Sequence, residues 1–337
     1  MRNNSFSAIE YIKNIFPHEG IIHYISNQII LHSNGYCLNT FELDESLRKK
    51  TILVKRFYLP RIIQRILRRG IHRVISNGKN IFVLYDKKIA IFDLETQREI
   101  HNINIKGSRP LGLVNFQDGI IYGEYRNNQE RTPVSLWNVT KDGTHIRLDT
   151  IENVRHIHTV TYWQETDCYY VTTGDAPNES NIIEYTNDFS KKRIILSGTD
   201  EYRIVQPIFR GREIYFCSDK PNNINYAYKY NIDTQKLEQL GKIGATVFYG
   251  LEKNGKCYFG TVAEPSKINE SKYVELIMIN ENNEIIRLHK YKKDIWPHKL
   301  AQYGQIIFPL EDKTSDDILL YTVVATHQDN LIMRHKI

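Results

Sequence analysis

The sequence predicts an all-β fold, a β-propeller of seven four-stranded blades, and three observations carry the prediction. The first is a recurring phrase, an apolar run that ends in an acid and is followed by a polar loop. It reads Ile-Phe-Val-Leu-Tyr-Asp86, Ile-Ile-Tyr-Gly-Glu124, Tyr-Val-Thr-Thr-Gly-Asp175, Ile-Tyr-Phe-Cys-Ser-Asp219, Gly-Thr-Val-Ala-Glu264 and Ile-Ile-Phe-Pro-Leu-Glu311. The second is its spacing: successive acids lie 38, 51, 44, 45 and 47 residues apart, and a period near 45 built from short strands marks a propeller blade. The third is composition, since 22 tyrosines and abundant isoleucine favour strands over helices.

The repeats fall at about 18–57, 70–107, 108–153, 154–200, 201–244, 245–292 and 293–337, one domain over 1–337. The first is the weakest, because Gln28-Ile-Ile-Leu-His32-Ser-Asn34 fills the acid's position without an acid. Six blades behind an irregular N-terminal segment is therefore the alternative. The second repeat divides into runs at 70–76, 80–85, 88–94 and 99–105, and the fourth into 156–162, 168–173, 181–185 and 192–196. Between third and fourth strands recur polar turns such as Asn-Ile-Asp-Thr-Gln235, whose side chains bond their own backbone. Thr140-Lys-Asp-Gly143-Thr resembles a worn Asp-box turn, a structural feature. Terminal strands sharing one blade would remove the open edge.

One segment breaks the β pattern. After Pro60, Ile62, Ile63, Ile66 and Leu67 sit at helical spacing among Arg61, Arg65, Arg68 and Arg69, and Gly70 follows. A short inserted amphipathic helix near 60–69 is expected, packed on the side of the disc with its arginines in water. Docking on a membrane-associated biosynthetic protein is its functional alternative.

The net charge of +6 on 337 residues is uneven, with four positive charges in that segment alone, too local for the basic stripe of a nucleic-acid protein, so no nucleic-acid partner is expected. No run approaches a transmembrane span, and the N-terminus lacks an apolar signal core. Cys37, Cys168, Cys217 and Cys257 lie apart without Cys-x-x-Cys spacing, as buried thiols of a reducing compartment do. A cytoplasmic protein, at most peripheral to the inner membrane, is the expectation.

In a propeller the loop from second to third strand lies on the same face as the approach to each innermost strand. The acids should therefore meet the approach segments Ser108-Arg109-Pro110, Val154-Arg155-His156-Ile157-His158, Glu201-Tyr202-Arg203, Phe248-Tyr249 and Asp294-Ile-Trp296-Pro-His298 at the channel mouth. Arginine forks bind carboxylate or phosphate, and aromatic faces pack on sugar rings. The mixture suits an anionic saccharide such as a uronic or nonulosonic acid. The candidate substrate-binding residues are Arg109, Arg155, Arg203, Asp219, Tyr249, Trp296 and His298. Alternation places His156 and His158 on one strand face. No cofactor is expected, with a divalent metal the open alternative.

Arg109-Pro-Leu, Gly123-Glu124-Tyr125-x-x-Asn128, Arg155-His156-Ile157-His158, Thr173-Gly174-Asp175 with Glu179-Ser180, Tyr202-Arg203, Ala263-Glu264-Pro265-Ser266 and Lys293-Asp294-x-Trp296-Pro297 carry a resemblance. Over about residues 106–310 the chain resembles sialidase-superfamily-like (BNR-type) propellers encoded among bacterial capsule and other surface-polysaccharide genes. The resemblance implies a propeller linked to extracellular glycan metabolism. It departs from true sialidases in lacking clean Asp-box repeats and an identifiable tyrosine–glutamate nucleophile pair.

Two classes of function follow. A glycan-active hydrolase needs two carboxylates flanking the bond, for which Glu124 and Asp175 are the first pair and Asp219 the substitute. A lyase would use Arg109 or Arg203 to neutralise a uronate and His156 or His158 as the base. The catalytic candidates are thus Glu124, Asp175, His156 and His158. The alternative is a non-catalytic glycan-binding or assembly protein of a polysaccharide biosynthesis system.

Overall fold

The computed structural model describes residues 71–298 except 94, 95 and 97, together with 302–310, 317–326, 332–336, Ile66, and the backbone of Ser7–Ala8, Gly20–Ile25, Gln28–Ser33 and Tyr36–Cys37. Five antiparallel sheets of four consecutive strands follow one another, spanning 71–104, 114–151, 157–197, 208–243 and 247–292. A sixth four-stranded sheet joins both ends of the chain: Ser7–Ala8 pairs with Ile332–Lys336, which pairs with Asp317–Val323 and so with Gln305–Ile307. The backbone over 20–37 forms a three-stranded sheet. Among the described residues five blades are thus complete in consecutive strands, where the repeats predicted seven or six. The first expected repeat carries only three described strands, and the last borrows its outer strand from the N-terminus. Among the described residues helix is almost absent, with 3-10 turns at Pro177–Glu179 and Asp200–Tyr202. The helix expected over 60–69 lies outside the described residues apart from Ile66, and no inserted helix is among the described elements.

The burial of successive strands explains the recurring phrase. Second strands such as Gly119–Gly123 and Cys168–Thr173 are buried along nearly their whole length, covered on both faces by neighbouring sheets, so they read as continuous apolar runs. Fourth strands such as Lys192–Ser197 are largely exposed and read as charged. The core is a set of sheet-to-sheet contacts. One cluster joins Phe116, Leu136 and Ile151 to Ile157, Val171 and Tyr185; another joins Trp163 and Tyr170 to Ile214, Phe216 and Tyr228; a third joins Tyr215 and Cys217 to Phe259 and Ile277. Each cluster pairs consecutive sheets, as face-to-face packing around a ring requires.

Two kinds of β-bulge recur. All five complete blades shift register between third and fourth strands, at 91/92, 136/137, 182/183, 227/228 and 276/277. Three innermost strands also shift near their start, between Ile71 and Arg73, Ile157 and Thr159, and Val247 and Tyr249. The unpaired residues there are His72, His158 and Phe248, and a bulge re-aims the side chain it carries.

Candidate functional site at the channel mouth

Backbone hydrogen bonds sew the acid-bearing loops to the approach segments. Gly174 N–H donates to His156 O (3.1 Å), Asp219 N–H to Arg203 O (2.7 Å), Val262 N–H to Thr246 O (2.8 Å), and Ile157 N–H to Glu124 O (3.0 Å). The two sets of residues accordingly share one face.

Asp175 is the hub. Arg155 Nη1 donates to its Oδ2 at 3.0 Å, while Arg203 Nη2 approaches its Oδ1 at 3.2 Å. His158 Nε2 lies 3.3 Å and His156 Nε2 3.5 Å from the same Oδ1. Burial alone would raise the Asp175 carboxyl; hydrogen bonds from the two imidazoles, when these carry a proton on Nε2, and the Arg203 charge outweigh it and hold the group well below the usual carboxylate range. Arg203 Nε also binds Asp219 Oδ2 at 3.2 Å. Burial pushes the Asp219 carboxyl up, with Arg203 opposing.

The histidines are fixed from behind. His156 Nδ1 lies 3.3 Å from Arg126 O, His158 Nδ1 lies 2.7 Å from Ile204 O, and Tyr125 stacks on His156 with centroids 4.1 Å apart. Burial lowers His156 below the ordinary imidazole value, with the neighbouring Asp175 carboxylate, which favours the protonated ring, working against it. Alternation alone does not bring the rings together, because the bulge at His158 intervenes.

The loop that carries Asp175 is built around Glu179, which is 1% exposed. Its carboxylate accepts both Arg131 Nε and Nη2 at 3.0 Å, Arg155 N–H at 2.6 Å and Asp175 N–H at 3.3 Å. Gly174 makes the turn at φ +82°, where a Cβ would lie 2.0 Å from Glu179 O; only glycine fits.

Glu264 extends the cluster. Thr246 Oγ1 donates to its Oε1 at 2.6 Å, and burial pushes its carboxyl up to about 7, against that hydrogen bond and the Arg203 charge. A cavity of ≈350 Å³ has walls that include Arg73, Thr161, Gln206, Tyr249, Leu251 and Phe308.

The expected residues therefore separate. Arg155, His156, His158, Asp175, Arg203 and Asp219 form one linked cluster. Glu124 turns elsewhere: Trp137 Nε1 donates to its Oε1 at 2.7 Å and Arg126 Nε lies 3.6 Å from its Oε2. Tyr249 gives one ring face to the Arg73 guanidinium at 4.1 Å. Arg109 lies close enough to His72 to help burial lower that imidazole. Trp296 is 44% exposed in the turn after Lys293, and His298 packs on Tyr303. Glu311 lies outside the described residues. Sequence reasoning placed Glu264 at the mouth with the other recurring acids but chose neither it nor Tyr125 nor Glu179 as a candidate residue.

The turn at 140–144 is structural. Asp142 accepts from Thr140 Oγ1 and from Thr144 N–H, and Asp188 repeats the arrangement with Thr186 Oγ1 and Ser190 N–H. Cys168, Cys217 and Cys257 are free thiols. Among the described residues no helix is long and apolar enough to cross a membrane.

No family model matches the chain, and no curated protein matches it in sequence. Solved structures do resemble it. A chain of the mitotic checkpoint complex aligns at TM-score 0.56 and 8% identity over 100% of this chain and 96% of its own. The WD40 β-propeller domain of Doa1 aligns at 0.53 and 12% over 95% and 90%, and a chain of the nidogen/laminin complex at 0.51 and 10% over 84% and 95%. At these identities the likeness shows the β-propeller fold alone.

Proposed function

We propose that the channel mouth binds an acidic saccharide and that this protein processes it, by hydrolysis or elimination, in bacterial surface-polysaccharide metabolism. One observation carries the reading: the Arg155–Asp175–Arg203–Asp219 chain holds two guanidinium groups at one mouth, and the Arg155 side chain keeps 35% of its surface open to solvent. Arginines held rigid by their own acids are preorganised to receive a ligand carboxylate. Tyr125 and Tyr249 supply aromatic surface beside them. Glu264, with a carboxyl near 7, has the proton affinity that general acid–base chemistry uses at neutral pH. Glu124, tied to Trp137, serves the reading less well than Glu264 does.

A non-catalytic reading, glycan binding or assembly, is favoured by one feature: Asp175 and Asp219 already pair with both arginines, as in a structural network. The sialidase-like resemblance supports a glycan ligand in either case. Incubation with acidic oligosaccharides followed by mass spectrometry separates the readings. Hydrolysis adds one water per bond cleaved and elimination adds none. Turnover that Glu264→Gln abolishes while binding survives supports the enzyme. A saccharide that binds without any product leaves the binding protein. Absence of binding by every acidic saccharide in the panel overturns both.

A further inference from the structure

We propose that His156 Nε2, His158 Nε2 and Asp175 Oδ1 form a site for a divalent transition-metal ion at the channel mouth. Each Nδ1 faces a backbone carbonyl, Arg126 O at 3.3 Å and Ile204 O at 2.7 Å. A carbonyl only accepts, so each Nδ1 carries the hydrogen. In the neutral rings both Nε2 atoms are then bare lone pairs.

Those lone pairs face each other at 3.1 Å, and both face Asp175 Oδ1, at 3.3 and 3.5 Å. Three acceptors aimed at one point repel unless a cation lies between them. The spacing suits one: ligands about 2.0–2.2 Å from a metal stand roughly 3.0–3.5 Å apart at adjacent corners of a tetrahedron or octahedron. All three donor atoms lie within 4.8 Å of one another.

The supporting groups have the character of an outer shell. Ring N–H groups donated to backbone carbonyls fix tautomer and orientation in metal sites. Arg155 holds Oδ2 and so turns Oδ1 towards the rings. Arg203 Nη2 also reaches Oδ1, at 3.2 Å, but its Nε is drawn aside by Asp219. The histidines are 4% and 2% exposed, which restrains them before any ion arrives. Two imidazoles and one carboxylate favour Zn²⁺, Co²⁺, Ni²⁺ or Fe²⁺ over Ca²⁺ or Mg²⁺. Three protein ligands leave a position open for water or a ligand oxygen, where an ion polarises what it binds.

The inference stands on this geometry and not on the acidic-saccharide reading, so it is tested without saccharide. The full chain is stripped with a chelator and dialysed against Zn²⁺ and, separately, Co²⁺. One ion per chain is expected, with affinity lowered more than about 100-fold in His158→Ala and Asp175→Asn, beyond the loss typical of outer-shell changes. X-ray absorption of the wild-type Zn²⁺ protein, which needs no variant to fold, should show two imidazole nitrogens at about 2.0–2.1 Å. No bound ion, an ion that both variants retain, or a sulfur-containing shell overturns the site and leaves a proton shared by the two rings in its place. A protein that takes up no ion yet binds an acidic saccharide overturns this inference alone.

Discussion

Replacing Glu179 by glutamine should cost the protein about 3 kcal/mol, although the residue lies outside the cluster at the mouth. The buried carboxylate accepts four N–H groups, two from Arg131 and one each from the Arg155 and Asp175 backbones. A glutamine there would keep one acceptor oxygen and turn an NH₂ towards two of those donors. Hydrogen bonds to a charged group are worth about 1.5–3 kcal/mol each, and a buried donor left unpaired costs about 1–3 kcal/mol. Arg131 is 35% exposed and regains water, so its share is discounted and the two backbone donors dominate. At about 2.1 cal/mol/K per residue, 3 kcal/mol lowers the melting temperature of a chain this long by roughly 4 °C. Urea titration of wild type, Glu179→Gln and Asp233→Asn measures it. Asp233→Asn breaks the exposed Arg212 pair and should leave stability essentially unchanged. If Glu179→Gln loses no more than that control, the claim that Glu179 anchors the Asp175 loop is wrong.

Further consequences concern neighbouring groups. Gly174→Ala combines left-handed strain of about 1–2 kcal/mol with a contact that only a backbone shift costing about 1–3 kcal/mol relieves; denaturation should show a loss near 3 kcal/mol, whereas the same change at Gly211, where a Cβ meets nothing within 4 Å, should leave only the strain. Glu264, whose carboxyl rises from the ordinary 4.5 to about 7, keeps its proton on folding, so stability attributable to it falls as pH climbs from 4.5 through 7. The loss is about 3 kcal/mol at 1.36 kcal/mol per pH unit, and Glu264→Gln should flatten that part of the stability–pH curve. Glu124→Gln and Trp137→Phe should each leave any turnover within about twofold of wild type, below the 10²–10⁴-fold that proton transfer contributes; a loss near 10²-fold for Glu124→Gln would return that residue to the chemistry.

What the sequence showed and concealed follows from where each interaction lies. The propeller was legible because its second strands are buried on both faces and end at one structural level, which writes an apolar run and an acid at each recurrence. Closure was not, since Ser7–Ala8 is too short to carry a pattern and its partner lies at the far end of the chain. The position of Asp175 against Arg155 and His156 followed from topology. The different fate of Glu124 did not. Glu124 leaves its strand directly and meets Trp137 on the neighbouring strand, while Asp175 follows a left-handed glycine that carries it over the approach segment. The bulge at His158 is equally silent in sequence, because it depends on register between strands. Glu179 reads as an ordinary loop acid, and only its fourfold coordination of N–H groups reveals its burial.

The central claim is that this mouth receives a carboxylate-bearing saccharide. Calorimetric titration of wild type, Arg155→Gln and Arg203→Gln with an oligouronate and its neutral counterpart, at one fixed ionic strength, tests it most directly. Wild type should bind the oligouronate in preference to the neutral chain, and each substitution should weaken that binding at least about tenfold, or about 1.4 kcal/mol, leaving any neutral binding unchanged. Equal binding of the two saccharides, or oligouronate affinity that neither substitution alters, would contradict the claim.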